Sequence, residues 1–387
     1  MKQFILLMVI AVYGCSEKNV STIDVATATT ISIDKAKKGN IELNKFIKNI
    51  SLIVLQGIAN DDFIAEIHSV FNIDNKFFVF DKKKSNIFVF DASGMLINKI
   101  GVRGNGPGEY NKISDFSINR GKKEVAVVDE NSMAVLTYDF QGNFIKKIKF
   151  DSFFPRNIAI INNNYIFSTY NSNMNFNDLV FTDLTGKILN EEIPYPKDHE
   201  YFGFDYTGGI NNKSKWPLYQ ESLSSIIYEI KGNNIIKAKY NIDLGKSKWP
   251  EEKIYSHLEY SEFNNKTTGT DLLAILENRY IENNKYFVFR YTNDYQEIGF
   301  FNKKTKELFT SKSIENYRQY LYFFSTPIGL TADDKFISGL YPDLYHLLSQ
   351  ENKGFTDDLM RIDTTLAQIL KESTTENNPI LMIHDYN

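Results

Sequence analysis

A chain of 387 residues with 42 % hydrophobic content can bury a sizeable core, and its net charge of −4 offers none of the basic footprint that nucleic-acid binding requires. A single cysteine, Cys15, excludes an internal disulfide. The 30 Phe and 23 Tyr suit a β-rich protein.

Met1-Lys2 is a short positive start, and Phe4 to Val12 is an apolar run too short to span a bilayer. Tyr13-Gly14-Cys15 follows, with a small residue directly before the thiol. The pattern resembles a bacterial lipoprotein signal. That resemblance implies cleavage after residue 14 and acylation of Cys15, and several acyl chains anchor a protein stably. It also implies a lipid-anchored address in the cell envelope. Ser16-Glu17-Lys18 lacks the Asp that favours inner-membrane retention, so the outer membrane is expected. Residues 15–40 are polar and read as a flexible tether, which leaves 41–387 for the folded domain. No later run is long and apolar enough to span a membrane.

Ser51 to Gln56 is the first strand candidate, and Ile64 begins the first repeat unit. Between Lys76 and Lys149 one pattern is written twice at an offset of 48 residues. Phe78-Val79-Phe80-Asp81 returns as Ala126-Val127-Val128-Asp129, and the turn Asp91-Ala92-Ser93-Gly94 returns as Asp139-Phe140-Gln141-Gly142. Short β-branched and aromatic runs bounded by Asp, Asn and Gly are strands and turns. The Asp opens each turn and the Gly accepts positive φ. A period of this length in strands this short predicts an all-β propeller.

Gly101 to Tyr110 holds four glycines and a proline, so it cannot be a regular strand. A phosphate-cradling loop would need a helix after it. Ile113 to Ile118 reads as a strand instead, so the segment is a connection between blades. The connector, with its Gly-Pro-Gly-Glu-Tyr at 106–110, resembles that of the six-bladed β-propeller lipoproteins of Bacteroidetes, relatives of the NHL-repeat propellers. That resemblance implies six blades and a role beside nutrient-uptake machinery, with no particular ligand.

Further blades are expected over 155–193, 201–244, 271–313 and 320–387. Pro250 with its flanking acids predicts a helical insertion near 250–260. Leu359, Ile362, Leu366, Ile369 and Leu370 share one helical face, predicting a second at 356–372. The last blade lacks an outer strand, which the strand near Leu52 is expected to supply by pairing near Leu381. That pairing closes the ring and removes exposed edges.

No catalytic motif stands out, and no cofactor is implied. Lys-Ser-Lys-Trp-Pro occurs at 213–217 and again at 246–250, carrying both tryptophans. Trp216 and Trp249, with Tyr201, Phe204 and Tyr206, are candidate ligand-binding aromatics in a loop-rich stretch. The five histidines show no metal spacing; related propeller enzymes hold metal on axial histidines, and His68 is the residue that would serve. The expected function is an envelope binding module or scaffold for a peptide, glycan or protein. The alternatives are a metal-dependent lactonase or lyase, and a structural subunit of an envelope complex.

Overall fold

The computed structural model describes residues 23–38, 47–57, 63–197, 208–232, 235–245, 275–292, 296–312, 326–351, 354–362, 364–374 and 378–386. It is an all-β, propeller-like fold. Three N-terminal strands, β1 (Thr29–Ser32), β2 (Lys37–Lys38) and β3 (Ile47–Val54), precede the repeats. The first repeat holds β4 (Ile67–Ile73), β5 (Lys76–Asp81), β6 (Asn86–Phe90) and β7 (Leu96–Lys99). The second holds β8 (Ile113–Asn119), β9 (Glu124–Asp129), β10 (Ala134–Asp139) and β11 (Phe144–Lys149). The third holds β12 (Asn157–Ile161), β13 (Asn164–Ser168), β14 (Asn177–Asp183) and β15 (Ile188–Pro194). The fourth holds β16 (Gly209–Asn211), β17 (Leu218–Gln220), β18 (Ile226–Lys231) and β19 (Ile235–Asp243). The fifth holds β20 (Ile275–Glu282), β21 (Tyr286–Thr292), β22 (Gln296–Asn302) and β23 (Leu308–Lys312). The last supplies β24 (Gly329–Leu330), β25 (Phe336–Leu340) and β26 (Ile380–Tyr386).

Each group is an antiparallel meander. The first and last merge into one eight-stranded sheet, because β24 pairs parallel with β4 (Gly329 opposite Val70). Strand β3 completes that sheet at its far edge by pairing with β26, with Leu52 opposite Met382 and Ile53 opposite Leu381. This is the pairing of the two ends that the sequence predicted.

The middle strands are apolar on both faces because each is packed between two neighbours. On β5, Phe78 and Phe80 enter a core shared with the second sheet, while Phe77 and Val79 enter one shared with β25 and β26. On β9, Val125 and Val127 face the first sheet and Ala126 and Val128 the third. Fully burying one such side chain contributes about 1.5–3 kcal/mol.

The Asp-x-x-Gly turns follow one chemistry. Asp91 Oδ1 accepts from the amides of Ser93 (2.8 Å) and Met95 (3.0 Å); Asp139 does the same for Gln141 and Asn143, and Asp183 for Thr185 and Lys187. Gly94 has φ of 90° and Gly142 of 86°. A side chain on Gly94 would also strike the carbonyl of Val54, and one on Gly142 that of Lys99, so each glycine lets its turn press against the outer strand of the preceding unit.

Two expectations change, and a third lies beyond reach. Residues 29–38, read as tether, instead supply β1 and β2, which pair parallel with the outer strands β19 and β23. They cover sheet edges whose backbone groups would otherwise lack partners, and Ile31 and Ile33 are buried there. The helical face at 356–372 forms two helices. Counting from Pro342–Glu351 (α1), which was not foreseen, these are α2 (Phe355–Ile362) and α3 (Thr364–Glu372), and all three share a core with Met382. The insertion expected near 250–260 lies outside the described residues.

Candidate functional site: the axial cavities

The first strands of the repeats form the inner wall. Strand β12 lies between β8 and β16, β16 against β20, and β24 against β4. At the carboxyl ends of these strands lies a cavity of about 750 Å³. Phe71, Ile118, Ile160, Trp216 and Leu330 supply its apolar wall, and Arg120, Lys215, Lys303 and Asp334 its charges. Glu229 and Glu282 line it too, linked by the Lys239 ammonium, which reaches both carboxylates. Tyr240 Oη donates to Glu282 Oε2 (2.7 Å), so this wall is pinned by paired charges.

The segment after β16 is held across the axis. Asn212 Nδ2 donates to the carbonyls of Phe116 (2.8 Å) and Ile158 (2.6 Å), and Asn211 Nδ2 donates the other way, to Tyr280 (2.8 Å). Ser214 Oγ accepts from the amide of Glu282 (2.9 Å). These bonds tie the first Lys-Ser-Lys-Trp-Pro copy to β8, β12 and β20, with Trp216 on the cavity wall.

Lys213 also lines a second cavity, of about 620 Å³, at the amino ends of the inner strands. His68, Lys82, Arg279, Arg290 and Tyr280 line it with Lys213. The His68 ring meets Phe80 edge-on at 5.7 Å. Burial, then the charges of Lys213, Lys82 and Arg279, hold its pKa well below the ordinary value. Burial also raises Asp115 to about 6, although bonds from the amides of Ile158 and Phe116 oppose it. Lys213 is pulled down to about 8 by burial, against the attraction of Asp115.

Of the candidates read from sequence, Trp216 lies on the first cavity and His68 on the second. Cys15, Trp249, Tyr201, Phe204 and Tyr206, with the second pentapeptide copy, lie outside the described residues. A metal-dependent reaction would call for ligands converging with His68, and among the described residues no three His, Cys, Asp or Glu side chains form such a group. Sequence reading passed over Lys213, Asp115, Arg279 and Lys82. Lys213 had a signal, since it stands in the repeated pentapeptide that was noted only for its tryptophan.

The model of a family described as a domain of unknown function, DUF4934, matches residues 20–385. No curated protein matches the chain. Among solved structures, a Bacteroides fragilis protein described as exported superposes with a TM-score of 0.70 at 19 % identity, covering 93 % of this chain and 100 % of its own. A Bacteroides vulgatus member of the DUF4221 family gives 0.53 at 11 % identity, covering 88 % and 97 %. At these identities the likeness is one of fold.

Proposed function

The chain belongs to the DUF4934 family, and we propose that it is a binding module of the bacterial cell envelope that takes a small glycan or peptide in the 750 Å³ axial cavity. The single observation that carries this reading is the cavity: walls from the inner strands of the whole ring, a mixed apolar and charged lining, and one tryptophan held at its edge. Ligand sites have this character, concave and partly apolar with a few fixed polar groups. The eight-stranded sheet divides naturally at the short β24–β4 contact, and with the other four sheets it makes a six-bladed ring of the Bacteroidetes lipoprotein type. The fold match to a protein described as exported supports an envelope address. Lipid on Cys15 supplies the anchor, most readily in the outer membrane.

Fluorescence tests the ligand reading. With Trp249→Phe removing the second tryptophan, Trp216 reports on the cavity alone. Titration with defined oligosaccharides and short peptides is expected to shift its emission, and Trp216→Ala to abolish binding in calorimetry. Unchanged calorimetric binding in Trp216→Ala would remove that residue from the site.

A second reading, a structural subunit, draws on exposed apolar residues along successive outer strands: Ile97 on β7, Ile145 on β11 and Leu189 on β15 are 49 %, 45 % and 48 % exposed. Exposed apolar side chains of this kind suit contact with a protein partner. Changing the three to Lys would release that partner in co-purification.

A further inference from the structure

The opposite end of the axis carries chemistry that the ligand site above does not use. Lys82 comes from the turn after β5, Lys213 from the segment after β16, and Arg279 from β20, and all three line the 620 Å³ cavity with His68. Acids are present but largely engaged. Glu277 lies 3.2 Å from Arg290 Nε and 3.9 Å from Arg279 Nε, and Asp343 Oδ1 accepts from the Leu344 amide (2.8 Å). Asp115 is bound by the amides of Ile158 and Phe116 and sits near Lys213. Glu66, on the rim, is exposed. The charges that act on the His68 ring are all positive.

A second observation is independent of charge. Tyr280 is 1 % exposed and lines this cavity, yet its hydroxyl has no hydrogen-bond partner among the described residues. Buried Asn278 Oδ1 and Thr326 Oγ1, on the same cavity, lack partners as well. A buried polar group left unpaired is costly, and these three residues border one cavity, so a ligand seated there meets them once their side chains turn toward it. Asn278 Oδ1 is an acceptor, so the partner it lacks is a donor, which a ligand hydroxyl supplies.

We propose that this second cavity binds a small hydroxylated oxyanion, a sugar-like compound bearing a carboxylate or a phosphate. Lys82, Lys213 and Arg279 take the anionic group, Arg279 with a fork suited to two oxygens. Asn278, Tyr280 and Thr326 take the hydroxyls. Lys213 lines both cavities, so Lys82 and Arg279, which line this one alone, tell the two sites apart.

The test uses the full chain with isotope-labelled histidine, the His68 signal being assigned by its loss in His68→Gln. The probes are D-glucuronate, D-glucose 6-phosphate, inorganic phosphate and neutral D-glucose. Glucuronate or glucose 6-phosphate is expected to move the His68 signal and raise its pKa, since an anion offsets the cations around the ring; the tighter of the two identifies the anionic group. Arg279→Gln is expected to weaken binding at least about tenfold, the scale of one charge-assisted hydrogen bond. Trp216→Ala is expected to leave it unchanged. The proposal is overturned if no probe moves His68, if glucose binds as well as its acids, or if inorganic phosphate binds as tightly as glucose 6-phosphate. The wild-type His68 response decides the matter even where a variant fails to fold.

Discussion

Asp115, on the innermost strand of the second sheet, accepts a hydrogen bond from the backbone amide of Ile158 on the innermost strand of the third, at 3.0 Å. The carboxylate thus clamps two sheets at the axis while facing the Lys213 charge. Asp115→Ala is expected to leave the Ile158 amide unpaired and to cost about 1–3 kcal/mol in urea unfolding. Asp115→Asn keeps an acceptor and should cost less. Its pKa, raised by burial to about 6, makes the folded state the tighter proton binder between its usual value of 3.8 and 6. This group's stabilising contribution is full below about pH 3.8 and is lost as pH rises through 6, by at most about 3 kcal/mol. Asp115→Asn should remove that slope from the pH profile of stability.

His384 gives the opposite slope. It stands opposite Phe336 on β25 and Ile50 on β3, is 1 % exposed, and neither ring nitrogen has a partner among the described residues. Burial pushes its pKa down to about 4 from 6.5. The unfolded chain binds the proton more tightly, so this contribution is full above pH 6.5 and is lost as pH falls through 4, by about 3 kcal/mol in all. His384→Leu is expected to be at least as stable as wild type at pH 5 while differing less at pH 7.5. A variant whose stability tracks wild type in parallel across this range would show that His384 is not buried as a neutral ring.

Ring closure can be locked. Leu52 and Met382 are directly opposed across β3 and β26 and belong to one apolar cluster with the three helices. Opposed antiparallel residues lie at Cα spacings that a disulfide accepts. Leu52→Cys with Met382→Cys, in a Cys15→Ser background, is expected to oxidise to an intramolecular link that raises the melting temperature, seen by non-reducing electrophoresis and calorimetry. Link formation only between molecules would contradict the closure.

The connector glycines make a sharper stability prediction. Gly108 has φ of 78°, and a side chain there would press into the Phe144 ring. Gly108→Ala should therefore destabilise by more than 1 kcal/mol, since strain and overlap add. In the same loop the Gly106 amide donates to Glu109 Oε2 at 2.7 Å, so the chain's own carboxylate occupies the place an anion would take at that amide.

The turns were legible because Asp and Gly each do one local job, repeated at a fixed spacing. Strand β3 was legible because Ser51 to Gln56 is an apolar run next to a polar stretch. Strands β1 and β2 were not: Thr29–Ser32 and Lys37–Lys38 carry no sustained alternation, and their pairing depends on edges presented over two hundred residues later. Helix α1 begins at Pro342-Asp343, the kind of start signal used near residue 250, but it starts two residues after the end of β25, inside a stretch expected to continue the last blade. The axial site escaped for a related reason. His68, Asp115, Lys213 and Arg279 sit in different repeats, so no local spacing joins them; only closure of the ring does.

The most direct measurement is equilibrium dialysis of the full chain against defined glycan and peptide mixtures, with retained compounds identified by mass spectrometry and compared with an Ala332→Trp variant. Ala332 is exposed on the wall of the 750 Å³ cavity, so a bulky side chain there blocks the cavity without entering a core. The account predicts a compound retained by the wild type and lost in Ala332→Trp at unchanged melting temperature. A compound retained equally by both proteins would place binding elsewhere and contradict the axial site.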